Sequence, residues 1–127
     1  MADGTFATVI NCMDGRVQLA VNNFIREQFG IDFVDTITMA GPCGIIADQQ
    51  NLGLIDNLKF RVDISVNKHF SRIIIIAGHA DCAAVEDTDE KQKDLIRQSI
   101  EMIKKWEFDV QVFGLWVDDT WTAQQIN

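Results

Sequence analysis

The sequence has no apolar run approaching the ~20 residues of a membrane span, so no membrane-spanning helix is expected within it. It is also short of basic residues: 11 Lys and Arg stand against 19 Asp and Glu, a net charge of -8. That balance excludes nucleic acid and anionic membrane surfaces as partners, since both would repel the chain. Cysteine is sparse and odd in number, with three residues at Cys12, Cys43 and Cys82, which suits reduced thiols rather than a disulfide framework. Met1-Ala2-Asp3-Gly4 lacks the charged and apolar regions of a signal peptide, and the expected location is the cytoplasm. Histidine is limited to His69 and His79. His69 precedes an expected strand, and ~6 residues at ~3.3 Å each separate it from His79 by about 20 Å, so the two cannot share a site. There are no internal repeats, low-complexity tracts or linkers, and residues 1–127 are expected to form one domain.

What is present is a repeated strand-and-helix pattern. Arg72-Ile73-Ile74-Ile75-Ile76-Ala77-Gly78 places four isoleucines in a row, as in a strand buried on both faces. Phe6-Ala7-Thr8-Val9-Ile10-Asn11 reads as the first strand, Phe33 to Thr38 as the second and Asp109 to Val117 as the fourth. Between the first two, Val17, Val21, Phe24, Ile25 and Gln28 fall on one helical stripe, and Gly30 is placed to end it. Met39-Ala40-Gly41-Pro42-Cys43-Gly44 reads as a loop, because its glycines and the single proline permit tight turns.

Leu52 to Phe70 alternates over Phe60, Val62, Ile64 and Val66, yet it is too long for a strand. A parallel neighbour requires a crossover, normally helical, so a helix is expected with Leu54, Ile55, Leu58, Val62 and Val66 inward. Phe60 and Ile64 then form a second apolar side, which suggests a homodimer. Asp87 is expected to cap a helix carrying Leu95, Ile96, Ser99, Ile100, Ile103 and Trp106 inward. The tail from Asp118 to Asn127 fits an edge strand or a helix. The fold class is α/β in three layers: a central, mainly parallel sheet of four or five strands in the order 2-1-3-4, with helices on both faces.

Two of these strands end in residues that carry chemistry. The first runs into Cys12-Met13-Asp14-Gly15-Arg16 and the third into His79-Ala80-Asp81-Cys82. Either motif alone describes a buried structural cysteine as readily as a ligand. If the strands are parallel neighbours, however, Cys12, His79 and Cys82 converge where the winding of the sheet reverses, the place where open α/β sheets bind ligands. Two thiolates and an imidazole suit a soft divalent metal, and zinc with three protein ligands keeps a fourth position open. Arg16 is the natural partner to hold the Asp14 carboxylate by two parallel hydrogen bonds. Asp81 is either a base's partner or a solvated turn residue. Trp106, Trp116 and Trp121 read as core and interface residues.

With Cys-x-Asp-x-Arg followed by His-x-x-Cys, the chain resembles the β-class carbonic anhydrases. Met39-Ala40-Gly41 stands where that family usually has Asn-Ala-Gly, and Val112 to Asp118 is similar to its last core strand. The resemblance implies Zn2+ held by Cys12, His79 and Cys82, with Asp14 and Arg16 as catalytic residues and Met39 and Gly41 at the substrate. It implies reversible hydration of carbon dioxide to bicarbonate by a metal-bound hydroxide, in a homodimer or higher homo-oligomer. The chain departs from the pattern at Met39, at Ala83 after the second cysteine, in lacking tyrosine and in its short length. Carbonyl sulfide or carbon disulfide hydrolysis at the same site is a second reading. A non-catalytic zinc module closed by Cys43 or Asp14 is a third. Cysteine-phosphatase chemistry fits poorly, since Cys12 and Arg16 are too close in sequence to wrap a phosphate.

Overall fold

The computed structural model describes residues 3–127, so Met1 and Ala2, which open the segment read as free of signal features, lie outside the described residues. Its centre is a five-stranded sheet in the order β2-β1-β3-β4-β5. Strands β1 (Phe6–Cys12), β2 (Phe33–Met39), β3 (Ile73–His79) and β4 (Gln111–Val117) are parallel, and β5 (Ala123–Ile126) runs antiparallel along the β4 edge. The tail is therefore an edge strand. This is the expected α/β arrangement, with the tail supplying the fifth strand beside β4.

Both faces of the isoleucine strand are buried, and its period of two deals the residues to opposite layers. Ile74 and Ile76 join Ile10, Ile37 and Trp116 beneath the helices α2 (Pro42–Asp48), α3 (Leu52–Lys68) and α4 (Asp89–Lys104). Ile75 and Ala77 join Val9, Leu115 and Val117 beneath α1 (Gln18–Phe29). Helix α1 ends at Gly30, whose left-handed backbone (φ 64°) lets its N–H cap Arg26. Among the described residues no helix is long and apolar enough to cross a membrane.

Four local expectations need correction. Met39 to Gly44 is not all loop: Pro42 opens α2, where its missing N–H costs nothing because a first-turn donor has no helical partner. Thr88, not Asp87, caps α4: its side chain accepts from the Lys91 N–H, while the Asp87 carboxylate accepts from the Thr88 N–H. Gln28 points to solvent, and Phe29 instead packs on Phe113, ring centroids 5.3 Å apart. Leu54 is exposed, so the inward stripe of α3 is Ile55, Leu58, Val62, Ser65 and Val66.

Candidate metal centre

The chain leaves β1 toward β2 on one side and returns to β3 on the other, so the sheet's switch point lies between β1 and β3. Cys12 is the last residue of β1 and His79 the last of β3. Beyond His79 the chain turns at once, because Ala80 N–H bonds to Val117 O (2.9 Å) and Asp81 takes a left-handed φ of 58°. That turn returns Cys82 to the end of β1, with its sulfur 3.9 Å from that of Cys12. Among the described residues, Cys12, His79 and Cys82 gather their ligand atoms within 4.8 Å of one another, and all three are buried.

This donor set fits a tetrahedral zinc. Two Zn–S bonds of ~2.3 Å at the tetrahedral angle put their sulfurs about 3.8 Å apart, close to the separation found here. His79 Nδ1 lies 2.7 Å from Ala80 O, which fixes the proton on Nδ1 and turns a lone pair out at Nε2. Nε2 is buried and has no hydrogen-bond partner. An orphaned acceptor of that kind is costly unless something binds it.

The electrostatics favour one thiolate strongly. Burial opposes the Cys12 anion, but without metal a proton on His79 Nε2, itself favoured by the thiolate, and backbone N–H groups at Gly41 and Asp14 outweigh it, bringing its pKa down to about 7. Burial and the neighbouring Cys12 push Cys82 up instead. Cys43, in the first turn of α2, stands outside the group, and burial with nearby thiols drives it up to about 12. In metal-free protein, alkylation by iodoacetamide should therefore mark Cys12 first, its rate rising with pH through about 7 as the thiolate forms. Cys43 should stay unmodified at neutral pH. Peptide mapping of the alkylated protein checks both expectations, and equal labelling of Cys12 and Cys43 would contradict them.

Asp14 caps the short 3-10 turn Gly15–Val17 by accepting from the Arg16 N–H (2.9 Å). Its carboxylate also takes a forked pair from the guanidinium, Nε at 3.0 Å to Oδ1 and Nη2 at 2.7 Å to Oδ2. These bonds hold its pKa down to about 2, so the pair is ionised throughout the neutral range. Arg16 reaches the other motif as well: Nη1 donates to Asp81 Oδ2 at 3.0 Å and Nη2 to Asp81 O at 3.1 Å. The far face of the guanidinium meets the Trp121 ring, 4.5 Å from its centroid. Gln18 Nε2 pins the loop from below, donating at 2.8 Å to both Cys12 O and Asp14 O.

A cavity of ≈ 380 Å³ opens beside these groups, lined by Cys12, Met13, Asp14, Ala40, Ala83 and Ala84. Met39 and Gly41 are not among its lining residues. The Met39 side chain packs against the core beneath α2, and its carbonyl accepts from the Met13 N–H at 2.9 Å. Gly41 is buried with φ +56°, and a Cβ there would lie 2.8 Å from Val85 and 2.9 Å from Ala84. Its place is thus to let the loop after His79 close over the exit of β2. His69 lies away from the group, stacked on Phe6 (4.3 Å) and 2.7 Å from Asp35. Motif reading gives no signal for Gln18, since glutamine opening a helix is unremarkable; Trp121 packs on the core as expected, but its contact with Arg16 has no motif to announce it.

A family model described as "Putative carbonic anhydrase" matches residues 2–127. The chain belongs to this carbonic anhydrase family. Its fold is that of the β class: the carbonic anhydrase of Streptococcus mutans superposes with a TM-score of 0.68 at 17% identity, covering 95% of this chain and 81% of that one. β-Carbonic anhydrase isoform I of Trichomonas vaginalis gives 0.63 at 15%, covering 94% and 81%. One of two tetrameric β-carbonic anhydrases of Sordaria macrospora gives 0.59 at 12%, covering 98% and 82%. No curated protein sequence matches the chain. For this family member the scaffold agrees with solved structures that are only 12–17% identical to it in sequence.

Proposed function

We propose that the chain, acting as one domain over residues 1–127, catalyses the zinc-dependent reversible hydration of carbon dioxide to bicarbonate and a proton. The observation that carries this reading is the gathering of ligand atoms of Cys12, His79 and Cys82 within 4.8 Å, with His79 Nε2 unpartnered, next to a carboxylate locked by Arg16. Zinc held by those three side chains would supply hydroxide from water near neutral pH by acting as a Lewis acid. Asp14 is the acceptor that turns the nucleophile's O–H aside, so that a lone pair faces the carbon. Its carboxylate has lone pairs left for this after accepting the Arg16 fork. Arg16, by its forked bonds, would hold that carboxylate back from a metal bound to the three ligands. Ala40, Ala83 and Ala84 offer a small apolar wall to a neutral, linear substrate.

The reading includes assembly. Phe60 and Ile64 on the outer side of α3 are 63% and 41% exposed, a surface that a second copy would cover in a homodimer or higher homo-oligomer. The function is tested by stopped-flow hydration of carbon dioxide with zinc-loaded and chelator-stripped protein, run alongside release of hydrogen sulfide from carbonyl sulfide. Zinc-dependent hydration exceeding sulfide release is the expected outcome. Sulfide release without hydration would move the substrate to carbonyl sulfide, and neither activity in zinc-loaded protein would overturn catalysis.

A further inference from the structure

Arg16 is held on its edges by carboxylates and on one face by a ring, and the ring's position is unusual. Trp121 has φ +59°, a left-handed backbone that bulky residues rarely adopt. The turn between β4 and β5 is built to keep it there. Asp118 Oδ1 accepts from Thr120 N (2.9 Å), Thr120 Oγ1 (2.7 Å) and Thr122 N (3.1 Å). The Asp118 N–H bonds to Thr122 O (3.1 Å), and the Trp121 N–H bonds to Asp118 O (3.0 Å). Strain of this kind persists where surrounding bonds over-determine the backbone, and it marks positions where a side chain's direction matters. Here the direction carries the indole to the Arg16 guanidinium, 4.5 Å from ring centroid to Cζ.

The geometry points to Trp121 as a positioning residue for the Asp14–Arg16 pair, an inference that rests on the role proposed above for that pair. Nε and Nη2 bind Asp14, while Nη1 and Nη2 bind Asp81. Those bonds fix the edges of a planar fork and leave it free to tilt out of plane, carrying the Asp14 carboxylate with it. A π-face stacked on the guanidinium removes the tilt, because the cation is drawn to the ring's negative face. The indole also packs against the core beneath α1. The indole thereby ties the hairpin turn to Arg16, in addition to the backbone bond from Ala80 N–H to Val117 O.

The test uses Trp121→Leu, which keeps apolar bulk without a π-face, and Trp121→Phe, which keeps the face. A double-mutant cycle of Trp121→Leu with Arg16→Ala, read by thermal unfolding of the metal-loaded protein, measures the contact itself. The visible spectrum of Co2+-substituted protein reads whether Asp14 has entered the metal's coordination. The expected results are a non-additive cycle, full metal content, a Trp121→Leu spectrum shifted toward that of Arg16→Ala, and a fall of about two- to fivefold in hydration kcat. Trp121→Phe should restore the spectrum and the rate. An additive cycle, or identical behaviour of the Leu and Phe variants, would overturn the role of Trp121. An unchanged Co2+ spectrum in Arg16→Ala would instead overturn the restraint of Asp14 by Arg16, and with it the reason to position Arg16.

Discussion

Cys12→Ser, His79→Ala and Cys82→Ser should each lose bound zinc and all hydration activity while remaining folded. Changing a residue that merely supports a metal ligand costs about 10–100-fold in affinity, so removing one of three ligands should cost more, at least about 10²–10³-fold. Each position also lacks a substitute. Cys43 stands outside the group and its thiol is held near 12, while Asp14 is committed to Arg16 by a 2.7 Å charged bond. Folding should survive because the core is independent of the metal. The isoleucines of β3 are buried against helices on both faces of the sheet, unlike small domains whose fold is their metal site. Metal analysis after dialysis, with thermal unfolding compared against metal-stripped wild type, separates ligand loss from unfolding. A single-ligand variant that kept stoichiometric zinc would remove that residue from the proposed set.

Arg16→Ala should give the opposite combination, with zinc retained and hydration lost. The arginine touches none of the three ligand side chains through its hydrogen bonds, which go to Asp14 and Asp81. Its ion pairs are also too exposed to matter much for stability, the Arg16 side chain being 45% accessible. What it supplies is aim. Without the fork the Asp14 carboxylate keeps only the bond from the residue-16 N–H, which no longer fixes its second oxygen, and its pKa climbs from about 2 part of the way toward that of an ordinary carboxylate. Loss of one preorganised charged contact, or misplacement of a positioning group by about 1 Å, costs about 10²–10³-fold in rate. We therefore expect a fall of that size in kcat/KM at unchanged metal content. Arg16→Lys should recover only part of it, since an ammonium cannot grip both carboxylate oxygens as a planar fork does. Full activity in Arg16→Ala would remove the role assigned to the pair.

Much of this was legible in the sequence because the strong signals agree. Four consecutive isoleucines require burial on both sides, and that fixes β3 in the middle of a parallel sheet; the helix at α3 follows from length and from the need for a crossover. The convergence of Cys12 with His79 and Cys82 then depends only on β1 and β3 being neighbours. The misreadings have local causes. Helix α2 was hidden because Gly41-Pro42-Cys43-Gly44 carries turn residues, and seven residues are too few to display a helical period. Asp87 and Thr88 are both capable caps, and only backbone conformation distinguishes them.

Met39 shows how a resemblance and a strand pattern can disagree. Two residues after the buried Ile37, it lies on the same face of β2, so alternation alone directs its side chain to the core, and Ala40 takes the place on the cavity wall. Trp121 was beyond reach for a different reason. Its left-handed backbone is imposed by Asp118 and the pairing of β4 with β5, not by any preference of tryptophan.

The central claim is that the two motifs grip one zinc ion between them, and X-ray absorption at the zinc edge on purified, zinc-replete protein tests it most directly. The account predicts one zinc per chain with two sulfur neighbours at about 2.3 Å and an imidazole nitrogen at about 2.0–2.1 Å. Protein that takes up no zinc under those conditions, or zinc with a shell free of sulfur, would contradict it.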